Sequence, residues 1–200
     1  MMLEPNTPLE PGALMDFLHT IEALKCNTRH SWTSTGRHES VAEHSWRLAV
    51  MALLLREAMP SVDMDKVMRM CLIHDFGEAV TGDIPTFEKK EVDEAVENVA
   101  VAGLLLQLSG KAGEELSALF DEMNAMETAE ARVYKALDKL EAVIQHNEAP
   151  LDTWLPLEYD LNRTYASEEC APFPFLKELR EEALRETERK VKDVPAAAQK

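Results

Sequence analysis

The run Val67-Met68-Arg69-Met70-Cys71-Leu72-Ile73-His74-Asp75 reads as an apolar helical segment that ends in an imidazole and a carboxylate. Spacings of three and four place Met64, Val67, Cys71 and His74 on one stripe, and Met68, Cys71, Leu72 and Asp75 on its neighbour. Both polar groups therefore leave the helix toward packed protein. A second histidine, His44, shares an apolar stripe with Val41, Leu48, Met51 and Leu55. Burying an ionised carboxylate is costly unless a cation meets it, and one divalent metal satisfies two imidazoles and a carboxylate together. The competing readings are a core histidine donating to a carbonyl for His44, and an ion pair with Arg69 or Arg47 for Asp75.

Outward from that segment the chain is helical in pattern, and no stretch alternates convincingly with a period of two. Pro11 suits the start of a first helix reaching Lys25, and a polar loop follows to Ser40. Ser40 and Glu43 form a capping-box pair that opens the His44 helix. A third helix is expected over 64–80, closed by the turn chemistry of Thr81-Gly82-Asp83-Ile84-Pro85. Further helices are expected over 86–108, 113–126 and 128–147, then an irregular stretch over 149–174 that packs over the bundle, and a charged helix over 175–192. A frayed tail takes up 193–200. The pattern predicts an all-α, single-domain helical bundle over 1–200, with its core at 14–148.

Two hundred residues at 46% apolar content are enough for one continuous core. No apolar run approaches the ~20 residues needed to cross a bilayer, and the N-terminus lacks a basic region followed by an apolar one, so neither membrane nor export is expected. Cys26, Cys71 and Cys170 are scattered and lack C-x-x-C spacing, which disfavours a disulfide framework and predicts a cytoplasmic protein. A net charge of −16 repels polyanions, so nucleic acid is not an expected partner. One stretch opposes that balance. Residues 23–38 carry no acid but hold Lys25, Arg29, His30, Arg37 and His38. It reads either as an anion-binding loop for a small phosphate or as a solvated loop.

The segments Glu-Ser-Val-Ala-Glu-His at 39–44 and Ile-His-Asp-Phe-Gly-Glu-Ala-Val-Thr-Gly-Asp-Ile-Pro at 73–85 resemble the HD-domain phosphohydrolases, with the closest likeness to the branch containing the bacterial 5′-deoxynucleotidase. The likeness covers about residues 14–148. It implies a metal set of His44, His74, Asp75 and, in Ala-Leu-Asp-Lys-Leu-Glu, Asp138. On spacing alone Asp138 reads rather as an exposed helix residue paired with Lys135 or Arg132. The resemblance also makes Glu78 the catalytic residue that orients water and puts Asp83 beside the sugar, where the bland readings are a surface glutamate and a turn residue. Arg29-His30-Ser31-Trp32 is similar to an R-x-G-W element in which the Arg contacts phosphate and the Trp packs near the nucleoside. Here Ser31 replaces Gly, and the loop before His44 is about two residues short. Arg37 is a further candidate cation. His19, His30, His38 and His146 match no ligand position, so one ion is expected rather than two. Two imidazoles and two carboxylates suit Mn, Co, Fe or Zn.

The implied activity is hydrolysis of deoxynucleoside 5′-monophosphates by a cytoplasmic homodimer. Two alternatives stay open: another nucleotide substrate such as a cyclic nucleotide, pyrophosphate or alarmone, and a non-catalytic nucleotide-sensing, metal-binding protein.

Overall fold

The computed structural model describes residues 9–195. After α1 (Pro11–Ile21) and α2 (Ala23–Cys26), the chain makes an antiparallel hairpin of β1 (Thr28–Trp32) and β2 (His38–Ser40), where the sequence predicts a loop. Both strands are polar, so no alternation announces them. Their turn is closed by the Thr33 amide donating to the Arg37 carbonyl at 2.7 Å, with Gly36 at φ +79°.

The capping box opens α3 (Val41–Leu54) as expected. The Glu43 amide donates to Ser40 Oγ at 3.2 Å, and the Ser40 amide donates back to the Glu43 carboxylate at 2.9 Å. Next, α4 (Met64–Ile73) begins at Asp63, whose carboxylate accepts from the Asp65 and Lys66 amides at 3.1 Å each.

This helix stops at Ile73, not at 80. Beyond it, the amides of Phe76, Glu78, Ala79 and Val80 each bond the carbonyl three residues back, and α5 (Glu78–Thr81) is one short turn. Tightening to three residues per turn eclipses positions i and i+3. Asp75 and Glu78 are therefore brought onto one side, although they are not on a continuous α-helical face. Gly77 makes room for α6 (Glu91–Leu105): a Cβ there would lie 3.1 Å from the Glu97 carbonyl oxygen. This helix starts later than expected because the amides of Glu88 and Lys89 both turn back to the Pro85 carbonyl.

After α7 (Lys111–Ala125) comes α8 (Ala129–Glu148), the axis of the molecule. One face of α8 carries the fully buried Val133, Ala136, Leu137 and Leu140, and the helix packs against α3, α4 and α7. The stretch 149–174, expected to be irregular, holds a 3₁₀ turn (Leu151–Thr153), α9 (Pro156–Thr164) and α10 (Ser167–Cys170), followed by α11 (Pro174–Val191). Pro156 and Pro174 stand in first turns, where the missing amide costs nothing, so these prolines start helices. Cys170, Leu176 and Ala183 belong to the same core as α3 and α4, so the C-terminal helices complete the core and do not merely cover it. Of the expected tail, residues 196–200 lie outside the described residues. Among the described residues no helix is long and apolar enough to cross a membrane, and all three cysteines are free.

Candidate active site

Four side chains that the sequence singles out meet beside α8. His44 from α3 is fully buried, and its Nε2 lies 3.1 Å from Asp138 Oδ1. His74, at the end of α4, places its Nε2 3.1 Å from Asp75 Oδ2 and 3.6 Å from the same Asp138 oxygen. The two imidazole rings are 5.3 Å apart. On the far side of each ring an acceptor fixes the tautomer: His74 Nδ1 donates to the Cys71 carbonyl at 2.9 Å, and His44 Nδ1 to Glu141 at 2.5 Å. Both Nε2 lone pairs are thereby turned to the common centre.

Electrostatics asks for positive charge there. Burial alone would lower the pKa of His74, yet Asp75 and Asp138 lift it to about 10. Both carboxylates are held below the usual range. Burial opposes this at each, but His74 and Arg29 outweigh it at Asp75, as Lys135 and the imidazoles do at Asp138.

His74 Nε2 and Asp75 Oδ2 are buried without a well-formed hydrogen bond. One ligand atom each from His44, His74 and Asp75 lies within 4.8 Å of the others. Mixed nitrogen and oxygen donors at this spacing fit one divalent transition metal, and Asp138 Oδ1 stands beside them, 3.1 Å from His44 Nε2. Glu39, His44 and Glu141 form a second close group, but guanidinium groups already face its carboxylates. Arg29 Nε is 3.5 Å from Glu39, and Arg47 Nε is 3.3 Å from Glu141.

Asp75 does pair with an arginine, but with neither of those expected: Arg29 Nη1 lies 3.5 Å from its Oδ2. Asp138 satisfies two readings at once, since Oδ2 accepts from Lys135 at 2.8 Å while Oδ1 faces the imidazoles.

A cavity of about 370 Å³ opens over this centre, with Arg29, Asp75, Glu78, Asp83, Lys135 and Asp138 among its lining residues. Glu78 is 5% exposed, and its Oε2 has no hydrogen-bond partner. Burial, with Asp75 and Asp83 nearby, pushes its pKa up to about 9. Burial likewise raises Asp83, which Arg29 and the His30 amide partly offset. Trp32 does not line this cavity. Its ring packs on His38 with centroids 3.9 Å apart, and its carbonyl accepts from Gln145. Arg37 is spent on Glu43 at the surface. Of the acid-free stretch, Arg29, His30 and Ser31 reach the cavity.

Sequence reasoning missed Glu141 and the wall supplied by α9, and named Lys135 only as a surface partner of Asp138. Glu141 carried a signal, being a carboxylate among Leu137, Leu140 and Val143, three residues after Asp138. A partner of this kind orients a ligand imidazole, and its loss costs about 10–100-fold in metal affinity. Glu141→Gln should show that loss in a competitive chelator titration while the far-ultraviolet circular dichroism stays unchanged.

Residues 21–174 match the family model described as HD domain. The chain is 32% identical over 144 residues to 5′-deoxynucleotidase HDDC2 of Dictyostelium discoideum, covering 67% of this chain and 76% of that protein. It is 31% identical over 140 residues to the Homo sapiens protein of that name, covering 68% of each. Among solved structures, a protein of Magnetospirillum magnetotacticum described as a predicted metal-dependent phosphohydrolase superimposes with a TM-score of 0.73 at 34% identity, over 90% of this chain and 95% of that one.

Proposed function

The chain belongs to the HD-domain family, and on that footing we propose that it is a metal-dependent phosphomonoesterase releasing phosphate from deoxynucleoside 5′-monophosphates. The observation that carries this reading is that Asp75, Glu78 and Asp138 line one cavity, while His44 and His74 bring ligand nitrogens within 4.8 Å of an Asp75 oxygen. Relatives named 5′-deoxynucleotidase at about 30% identity support it.

His44, His74, Asp75 and Asp138 would hold the ion, which when bound supplies Lewis-acid polarisation of the phosphoryl oxygens and acidifies water. The Glu78 pKa would be brought back down by the charge of a bound ion, leaving a carboxylate that takes the proton of the attacking water as the new oxygen–phosphorus bond forms. The phosphorus–O5′ bond breaks, and its electron pair leaves on the sugar oxygen, which takes up a proton from solvent. Arg29 and Lys135 are the cations positioned for the phosphoryl charge, each already beside a site carboxylate. Asp83 is placed to accept from a deoxyribose hydroxyl, and Trp32 acts at most by supporting the hairpin. The homodimer belongs to the same proposal: Trp46, Leu53 and Leu54 of α3 are large, exposed and apolar.

The test is phosphate release by metal-loaded protein from deoxynucleoside and ribonucleoside 5′-monophosphates, cyclic nucleotides and pyrophosphates. Preferential turnover of the deoxynucleoside monophosphates is expected. Cleavage of only a cyclic or pyrophosphate substrate, or of none, overturns the reading.

A further inference from the structure

The cavity over the metal-binding group extends along α8 to polar side chains that phosphoryl transfer does not use. Asp138 and His146 both line it, eight residues apart, which is about 12 Å along the helix. At the His146 end stands Glu158, 4% exposed. Its Oε1 lies 2.9 Å from His30 Nε2 and its Oε2 3.5 Å from His146 Nε2. Oε2 also accepts from the Leu155 amide at 2.6 Å, which locks the carboxylate to the first turn of α9.

Each imidazole is also held by an aromatic ring. His30 sits edge-on to Phe87, with centroids 5.4 Å apart at 89°, and His146 packs on Trp154 at 4.1 Å and 37°. The elements joined here, β1, α8 and α9, come from distant parts of the chain. Structural support alone would not require both Nε2 atoms to be buried without a well-formed hydrogen bond, as they are.

A second metal does not explain the cluster. Among the described residues, only the His44–His74–Asp75 and Glu39–His44–Glu141 groups bring three ligand atoms within 4.8 Å of one another. The wall is instead a partly aromatic surface carrying hydrogen-bonding groups. It lies in the same cavity as Asp138, about two turns further along α8.

We infer that this end of the cavity is the nucleobase subsite, in which His30 and Phe87 meet the base while Glu158 and His146 are positioning residues that hold the His30 ring. The inference rests on the nucleotidase reading and extends it to the part of the substrate remote from the reacting phosphorus. Ground-state contacts of this kind act mainly on KM.

The experiment compares metal-loaded wild type, His30→Ala, Glu158→Gln and Phe87→Ala on the four common deoxynucleoside 5′-monophosphates and on base-free deoxyribose 5-phosphate. Phe87 is 36% exposed, so its variant keeps the test alive if the buried Glu158 site does not tolerate change. The expected result for His30→Ala and Phe87→Ala is a KM increase on the nucleotides that exceeds the increase on deoxyribose 5-phosphate by about tenfold, with kcat within about threefold of wild type. Glu158→Gln should show the same split with a smaller amplitude, and bound metal should stay at one ion per chain.

Equal losses on base-bearing and base-free substrates, or no change in any KM, overturn the subsite. Loss of a second bound ion on changing His30 or Glu158 also overturns it, in favour of a metal site. If wild type fails on every monophosphate, the nucleotidase reading falls and takes the subsite with it. Nucleotide turnover with equal losses removes the subsite alone.

Discussion

Glu78→Gln should lower kcat by about 10²–10⁴-fold while bound metal stays at the wild-type level. Glu78 is close enough to share a cavity wall with Asp75, but it is not among the side chains grouped around the common centre. Its buried Oε2 has no partner among the described residues, an arrangement costly to keep unless a reacting molecule supplies one. The amide of glutamine has nearly the same shape but cannot take a proton, so binding and chemistry separate. Metal analysis and single-turnover phosphate release read the two independently. A variant with wild-type kcat would remove Glu78 from the reaction.

The same residue gives a pH signature in chelator-treated protein. Its folded-state pKa is raised from the ordinary carboxylate value to about 9, chiefly by burial. The sign follows from linkage: folding favours the protonated acid, so this contribution to stability is complete below the unfolded carboxylate pKa and is lost as pH climbs through about 9. Chemical denaturation between pH 5 and 9 should show that decline, and Glu78→Gln should flatten it.

Asp138→Asn should abolish turnover by more than about a thousandfold and also remove the metal's stabilising effect. In the wild type, free metal at about 100 times its dissociation constant adds roughly 2.7 kcal/mol, which for a chain of this size raises the unfolding midpoint by roughly 5–10 °C. Asp138 is the only residue of the set that faces both imidazoles and a lysine at once. Neutralising it leaves His44, His74 and Lys135 with less negative charge in a buried place, so a second positive centre becomes unfavourable there. Calorimetry with and without metal measures the difference. A variant that keeps the wild-type shift would exclude Asp138 from the metal set.

Local chemistry made much of this protein legible. The capping box at Ser40 and Glu43 and the apolar stripes around His44 and Cys71 need only neighbours within a turn or two, and periodicity records such neighbours faithfully. Where that reading failed, the decisive interaction lay elsewhere. The polar strands around Arg29 and His38 pair only with each other, so no period-two pattern marks them. The 149–174 stretch carries several prolines, which interrupt a periodic pattern, yet Pro156 and Pro174 begin α9 and α11.

What the sequence by itself determined is a helical chain with two buried histidines, a terminal His-Asp pair and an acid three residues further on. Tertiary structure alone decided that Asp138 turns one oxygen to the imidazoles while the other meets Lys135, that Arg29 rather than Arg69 or Arg47 faces Asp75, and that Glu158 seats His30 and His146 together. His44 and Asp138 are 94 positions apart. No local spacing rule reaches across such a distance, because which faces meet is set by packing the whole core around α8.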